Sequence, residues 1–298
     1  MKFPPFVPAL VLGLGLVSSA GCVVTVDSNS EIVREEKRFT VDGIADVRVA
    51  TFDGSIQIQS WDNPDILIEV EKRGPNKAAV ESLQIVVEQK GNVIDLEVKR
   101  PKRETFSGMG FRQAAYARLV VSVPRTTNVR ARSGDGSIKI ERVTGRIELR
   151  TGDGSIRASQ VAGDLNFDTG DGSVVVEEAE GQLVVDTGDG SVSVSGSLGA
   201  LKLHTGDGSV VYRAEPGTRM TDQWDITTGD GSVTLYLPAD MGAELDAHTG
   251  DGRITNDLSV ETADTDEKTR RTLRGRIGGG GQALRVRTGD GAIRLKLN

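Results

Sequence analysis

The sequence contains very few of the residues that metal sites and disulfides use. Among 298 residues there is one cysteine, Cys22, and there are two histidines, His204 and His248. A single cysteine cannot form an internal disulfide, and two histidines alone do not make a usual zinc ligand set. Each histidine directly precedes a Thr-Gly-Asp-Gly segment. We therefore expect both side chains to point outward at strand ends rather than to bind a metal.

Aromatic residues and clustered positive charge are also scarce. Trp, Tyr and Phe make up 4% of the chain, and 36 basic residues face 43 acidic ones, for a net charge of −7. Binding to nucleic acid through its phosphates needs a clustered basic face, so no nucleic-acid partner is predicted. An acidic surface is typical of a soluble extracellular or envelope protein.

Sequence motifs of catalysis are absent as well. The chain has no G-x-S-x-G elbow, no P-loop, no H-E-x-x-H and no G-x-G-x-x-G after a strand. Its carboxylates recur with a repeat, whereas a glycosidase needs one unique pair flanking a cleft. We predict that the protein is not an enzyme and needs no cofactor.

The N-terminal segment indicates export. No charged residue lies between Lys2 and Asp27, and the apolar run Val7–Val17 is followed by four small residues and then Cys22. This pattern is typical of a secretory signal, and the small residues before the cysteine resemble the bacterial lipobox. In lipoproteins with that motif, the cysteine thiol receives a diacylglyceryl group.

We therefore predict a signal peptide over residues 1–21, lipidation at Cys22 and a linker over residues 22–40. The protein would be held in the cell envelope by its lipid, at the outer membrane or the periplasmic face. Two alternatives remain: cleavage after Ala20 with free secretion, and an uncleaved anchor. The apolar run is shorter than the ~20 residues that a bilayer-spanning helix needs.

A short repeat dominates the rest of the chain. Asp-Gly steps are spaced 18 residues apart from Asp135 to Asp207, and five copies read Thr-Gly-Asp-Gly-Ser. The steps begin at Asp53, Asp135, Asp153, Asp171, Asp189, Asp207, Asp230, Asp251 and Asp290. Internal repeats of about this length indicate a solenoid, in which each unit stabilises its neighbours by stacking.

Aliphatic residues keep the same period as the turn. They alternate with polar residues on both sides of a second glycine, as at Ile138, Ile140, Ile147 and Leu149. Alternation of this kind predicts strands with one buried face. The fold class predicted is all-β: a parallel β-helix or β-solenoid with coils of about 18 residues. Glycine on both sides of Asp permits positive φ angles where the chain reverses.

Two domains of unequal regularity follow from these patterns. Residues 126–298 form the regular solenoid, and residues 41–125 form an irregular N-terminal β segment or cap. Within the latter, residues 76–82 favour one short helical turn. Two inserts, 101–115 and 256–282, are predicted as loops. The first carries the candidate interaction residues Phe106, Met109 and Phe111.

Stacked coils place the turn aspartates in one row about 4.8 Å apart. Two unit charges at that distance repel by about 0.9 kcal/mol in water. The row comprises Asp135, Asp153, Asp171, Asp189 and Asp207. Solvation or hydrogen bonds from turn amides would relieve the repulsion. Bound Ca²⁺, which takes carboxylate and carbonyl oxygens, is the alternative. Because the opposite turns mostly lack Asp, purely structural turns are favoured.

The stretch from Val121 to Ile156 resembles the bacterial putative-adhesin family of β-strand-repeat proteins, a domain of unknown function. It carries that family's Val-x-Val-Pro strand followed by Gly-x-Gly turns and alternating aliphatics, and residues 278–297 resemble its final coil. The resemblance covers most of residues 40–298. It implies a parallel β-helix-like fold and an envelope location.

Three hypotheses for function remain. The favoured one is a non-enzymatic, envelope-anchored surface protein that acts as an adhesin or assembly scaffold. It would contact the membrane through its lipid, and its binding partner would be an unidentified protein or surface glycan. The second is a periplasmic interaction module in envelope stress or signalling, acting through one of the two inserts. The third is a glycan-processing β-helix enzyme.

Overall fold

The computed structural model describes residues 23–27, 30–99, 115–265 and 270–298. Strands dominate, so the prediction of an all-β protein is confirmed. The described residues contain one helix, α1 (Lys77–Glu81), inside the segment predicted to form a helical turn. Asn76 caps it by accepting a hydrogen bond from the Ala79 amide at 2.9 Å, which is the usual role of asparagine at this position.

The strands pair into one continuous sheet that encloses the core, and its two sides are called here the first face and the second face. Two long strands run from one face to the other and so join them. The strands found only on the first face are β1 (Val23–Asp27), β2 (Ser30–Phe39), β4 (Ile56–Ser60), β5 (Ile66–Gly74), β8 (Tyr116–Val123), β10 (Ile138–Glu141), β12 (Ile156–Ser159), β16 (Val210–Ala214), β18 (Val233–Leu237), β20 (Ile254–Asn256) and β24 (Ile293–Leu297).

Those found only on the second face are β3 (Ala45–Thr51), β6 (Gln84–Lys90), β7 (Val93–Lys99), β9 (Thr127–Ser133), β11 (Thr144–Thr151), β13 (Ala162–Thr169), β17 (Trp224–Thr228), β19 (Ala243–Thr249), β21 (Val260–Thr265), β22 (Thr272–Ile277) and β23 (Ala283–Thr288). The shared strands are β14 (Val174–Thr187) and β15 (Val192–Thr205).

Equivalent positions of successive repeats lie side by side in the central part of the sheet. On the first face Ile138 pairs with Ile156, and Ile156 with Val174, in parallel register. On the second face Ile147 pairs with Leu165 in the same way. Each turn of the chain therefore lays one strand on each face, directly beside the strands of the previous turn.

The core lies between the two faces and runs the length of the sheet. Its side chains form one cluster of buried aliphatics contributed alternately along every strand. Phe167, Tyr212 and Trp224 are the largest fully buried side chains in it. The rings of Tyr212 and Trp224 meet edge to face at a centroid distance of 5.1 Å. Aliphatic stacking between coils thus supplies most of the buried apolar surface.

The order of coils in space departs from their order in sequence at the C-terminal end. Strands β23 and β24 lie between the β17–β18 coil and the β19–β20 coil. The chain therefore passes over one position, forms β19 and β20, and returns to fill the gap with its last two strands. The stretch resembling a final coil is last in sequence but not last in space.

The N-terminal end shows the same kind of inversion. The coil of β3 and β4 lies between the β7–β8 coil and the β9–β10 coil. Outside β8 the sheet continues with β5 and β2, both antiparallel. Residues 30–39, which the sequence pattern assigned to a linker, are thus the strand β2 and pair along their whole length with β5.

One of the two inserts is not a loop. Residues 256–282 contain β21 and β22, an antiparallel pair in which β22 also pairs with β19. The prediction of a loop was therefore wrong for this segment. Its mixed acidic and basic residues obscure an alternating pattern in which Leu273, Gly275 and Ile277 are the buried positions. The other insert, 101–115, lies almost entirely outside the described residues.

Candidate interaction surface

The Gly-Asp-Gly turns stack into one edge of the molecule, which we call the turn edge. In spatial order it comprises the turns at Asp53, Asp135, Asp153, Asp171, Asp189, Asp207, Asp230, Asp290 and Asp251. Glycine is required there because the coils approach closely. A Cβ on Gly190 would lie 2.0 Å from the carbonyl oxygen of Gly172, and one on Gly208 would lie 2.1 Å from that of Gly190.

The positive φ angles that glycine permits in these turns are not observed. Gly172, Gly190 and Gly208 are not in the left-handed region, whereas Gly163 and Gly181 in the opposite turns are, at 116° and 103°. The freedom to adopt positive φ is therefore not what the Asp turns use. Contact between neighbouring backbones, rather than the conformation of a single turn, excludes a side chain at these positions.

A buried hydroxyl joins the turns to the neighbouring coil: a threonine in the turns from Asp153 onward, and Ser133 in the turn at Asp135. The Thr169 hydroxyl donates to the Gly154 carbonyl oxygen at 2.9 Å, and the Thr205 hydroxyl donates to that of Gly190, also at 2.9 Å. The Gly208 amide in turn donates to the Thr205 hydroxyl oxygen at 3.2 Å. A hydroxyl that donates to one coil and accepts from its own turn explains why Thr is buried here.

The first threonine of the row, Thr51, differs from the others. Its hydroxyl is buried and has no hydrogen-bond partner among the described residues. The neighbouring coil, made of β7 and β8, has no Gly-Asp-Gly turn to accept its proton. The threonine hydroxyl therefore makes its hydrogen bond only where a Gly-Asp-Gly turn lies beside it to accept the proton.

The aspartates predicted to form a row are all exposed at the turn edge: Asp135, Asp153, Asp171, Asp189 and Asp207. The two histidines are exposed at the ends of β15 and β19, as expected. Among the described residues, no three His, Cys, Asp or Glu side chains are grouped so that they could hold a metal ion.

The remaining predicted site residues fall elsewhere. Cys22, Phe106, Met109 and Phe111 lie outside the described residues. None of the helices in the described ranges has the length and apolar character needed to cross a membrane.

Outward side chains on the second face form ion-pair networks that join coils. Glu148 on β11 accepts from Arg130 at 2.8 Å and Arg132 at 3.3 Å on β9, and pairs with Arg150 at 3.1 Å. Partial burial raises the pKa of Glu148, but the hydrogen bonds from Arg130 and Arg132 more than offset this and hold its pKa below the ordinary value. The charge therefore stabilises the junction of two coils.

A second network joins β19 to the inserted coil, which is the coil of β23 and β24 that lies between the β17–β18 and β19–β20 coils. Asp246 on β19 accepts from Arg274 on β22 at 3.0 Å and from Arg287 on β23. Arg287 also donates to the Asp246 carbonyl oxygen at 2.7 Å. Burial raises the pKa of Asp246, and the hydrogen bonds from Arg287 and Arg274 outweigh it, so the pKa is lowered overall.

The architecture defines a β-solenoid protein whose coils are joined by stacked Gly-Asp-Gly turns. Its sequence matches the family described as Toastrack DUF4097 over residues 44–296, and the chain belongs to that family. No curated protein matches the sequence.

Several solved structures are similar in fold. One described as a putative lipid binding protein, from Parabacteroides distasonis, is 12% identical with a TM-score of 0.48, covering 88% of this chain and 96% of that one. A putative adhesin from Parabacteroides merdae is 11% identical, with a TM-score of 0.43 and coverage of 88% and 95%. A putative adhesin from Bacteroides fragilis is 11% identical, with a TM-score of 0.38 and coverage of 89% and 97%.

Proposed function

We propose that this protein is a non-enzymatic β-solenoid, anchored in the cell envelope through Cys22, whose turn edge binds another component of a cell surface. Its building unit is a coil of about 18 residues that closes with Thr-Gly-Asp-Gly-Ser. The function is that of an adhesin or an assembly scaffold, and it requires no cofactor.

The exposed aspartates of the turn edge are the observation that carries this proposal. In the turns at Asp153, Asp171 and Asp189 each aspartate is flanked by glycines whose backbone approaches the preceding coil, and a buried threonine hydroxyl donates to that coil. The turn backbone is therefore fixed on both sides, while Asp153, Asp171 and Asp189 remain exposed. A rigid row of like charges with one spacing suits multivalent binding to a repetitive partner, because successive contacts add without further ordering of the chain.

The binding test removes charge from the turn edge without disturbing the core. The variant Asp153→Asn/Asp171→Asn/Asp189→Asn should fold and should bind an isolated envelope fraction at least about tenfold more weakly, since several contacts are lost together. The matched control, Asp164→Asn/Asp168→Asn/Asp186→Asn, removes three exposed aspartates from the second face. Equal loss in both variants, or no loss in the first, would contradict the proposal.

The anchor is tested separately in cells. Cys22→Ser should move the protein from the membrane fraction to the soluble fraction and should change its migration on a gel, because the thiol that carries the lipid is gone. Unchanged fractionation and migration would refute lipidation at Cys22, while leaving the role of the turn edge to the binding assay.

A further inference from the structure

A concave pocket lies on the first face where the antiparallel N-terminal strands meet the parallel coils. Its volume is about 370 Å³, within the ~300–1,000 Å³ of pockets that hold small molecules. Strands β5, β8, β4 and β10 line it, together with Arg157 near the start of β12. Its charged lining side chains are those of Glu71, Arg73, Arg118, Lys139 and Arg157, and Ser55 adds a hydroxyl.

The pocket is positively charged in a protein whose net charge is negative. Four of the lining residues are cations, and Glu71 is the one carboxylate among them. Glu71 is already neutralised, because Arg73 donates to one of its oxygens at 2.6 Å and Arg34 to the other at 2.9 Å. Burial raises the pKa of Glu71, but these hydrogen bonds lower it overall, so this side chain stays ionised and fully engaged.

The three other cations differ in their partners. Lys139 pairs with Glu141 at 2.5 Å. Within the part of the chain that the structure describes, Arg118 donates to the neutral Gln57 side chain at 3.1 Å and Arg157 to the Ser155 hydroxyl at 3.0 Å. Among the described residues neither arginine forms an ion pair. Elsewhere on the sheet, outward arginines such as Arg130 and Arg274 do have carboxylate partners.

Register brings these charges within reach of one ligand. Gln57, Lys139 and Arg157 are direct neighbours on three adjacent parallel strands, so Lys139 and Arg157 project from backbones about 4.8 Å apart. Arg118 leaves β8 on the same face, beside Gln57. Arg118 and Arg157 can each donate to a different oxygen of one anion with a planar fork suited to phosphate, and Lys139 on the strand beside Arg157 adds positive charge although its ammonium is paired with Glu141.

We propose that this pocket binds a phosphate monoester carried on a sugar-sized group. Arg118 and Arg157 hold the phosphate oxygens, Lys139 adds positive charge beside them, and the Ser55 and Ser137 hydroxyls of the lining bond to the neutral part of the ligand. The phosphate monoester is the shared chemistry of a soluble or glycan-borne phosphosugar and of a lipid with a terminal phosphate, such as phosphatidic acid. The site adjoins the turn edge, because Ser55 and Ser137 belong to the turns at Asp53 and Asp135. It uses none of the turn-edge aspartates, so it is tested independently of the function proposed above.

Calorimetry on the full chain with glucose 6-phosphate tests the proposal. We expect saturable binding of glucose 6-phosphate that weakens with added salt and no binding of glucose, which lacks the charge. Glucuronate should bind at least about tenfold more weakly, since a carboxylate offers fewer oxygens and less charge than a phosphate to the two arginines. Failure of glucose 6-phosphate to bind, or equal binding of glucuronate, would overturn the assignment of a phosphate site.

Variants locate the binding. Arg157→Gln and Arg118→Gln should each weaken binding about tenfold or more, because each removes one charged hydrogen bond, while Arg157→Lys should retain part of it. The matched control is Arg294→Gln, an exposed arginine on β24 of the same face. An unchanged melting temperature shows that each variant is folded. Equal weakening by the control would refute the pocket.

Vesicles distinguish the two sources of the phosphate. If a lipid headgroup is the natural ligand, vesicles containing phosphatidic acid should bind the protein and should compete with glucose 6-phosphate, whereas phosphatidylcholine vesicles should not. If the source is a phosphosugar, glucose 6-phosphate binds and neither vesicle does. Both outcomes support a phosphate monoester site, and binding to both vesicle types alike would count against it.

Discussion

The hydroxyl of Thr205 donates a hydrogen bond to the carbonyl oxygen of Gly190, 2.9 Å away on the preceding coil. Thr205 is fully buried, and its hydroxyl oxygen also accepts from the Gly208 amide in its own turn. One side chain therefore joins two coils and closes one turn. The hydroxyl bond to a neighbouring coil recurs at Thr151, Thr169, Thr187, Thr228, Thr249 and Thr288, so each of these threonines contributes to stability.

Thr205→Val should lower the free energy of unfolding by about 1–3 kcal/mol. Valine has a similar shape but leaves the Gly190 carbonyl oxygen and the Gly208 amide without this partner. Thr205→Ser, which keeps the hydroxyl, should lower it by less. Urea unfolding followed by circular dichroism measures both. A valine variant as stable as the parent would show that the hydroxyl is not needed.

Gly190→Ala should be among the most damaging single-atom additions to the turn edge. The new Cβ would lie 2.0 Å from the carbonyl oxygen of Gly172, so the two coils would have to separate. We expect a lower melting temperature or loss of soluble protein. Gly279→Ala is the control, since a Cβ there meets no atom within 4 Å, and it should change stability by less than about 0.5 kcal/mol.

Stability should fall in acid as the inter-coil carboxylates are protonated. The folded-state pKa values of Asp246 and Glu148 are lowered. Their stabilisation is therefore complete above the unfolded values of about 3.9 and 4.3 and is lost as pH falls through the folded values.

Urea unfolding between pH 7 and pH 2.5 checks this dependence. Asp246→Asn should unfold more easily at pH 7 by about 1–2 kcal/mol and should lose less stability than the parent on acidification. Asp257→Asn, an exposed position at the end of the first face, serves as control. Identical pH profiles for the parent and Asp246→Asn would contradict the role given to the pair with Arg287.

Millimolar Ca²⁺ should leave the melting temperature unchanged when ionic strength is matched with Na⁺. The turn aspartates are exposed, and among the described residues no three carboxylates, histidines or cysteines converge on one point, whereas Ca²⁺ takes six to eight oxygens. Differential scanning calorimetry measures the shift. A rise that Asp171→Asn/Asp189→Asn abolishes would establish the calcium alternative instead.

The repeat made much of the fold predictable. Alternation around each turn identified Ile138, Ile156 and Val174 as core residues, and all three are fully buried neighbours. The order of coils at the two ends could not be predicted in this way. The turns at Asp251 and Asp290 are nearly identical in sequence, so the pattern does not specify which of them stacks on Asp230.

The role of the turn glycines and the basic pocket escaped prediction for a related reason. Both depend on contacts between segments far apart in sequence. Gly190 is constrained by Gly172 on another coil, and the pocket joins Arg73, Arg118 and Arg157 from strands that a local pattern cannot align. Residues 100–114 also separate Lys99 from the strand that carries Arg118. Because this stretch breaks the repeat, the sequence does not show which strands lie beside Arg118.

The inserted coil of β23 and β24 has a consequence for biosynthesis. Chains fold domain by domain from the N-terminus as they leave the ribosome, yet β19 can adopt its native neighbours only after residues 283–297 have been translated. Until then one edge of β17 is unpaired. Because β19 ends in the same Thr-Gly-Asp-Gly sequence as β23, it could pair with β17 in place of β23. Export as an unfolded chain, with folding deferred until the last strands are present, would avoid this premature pairing.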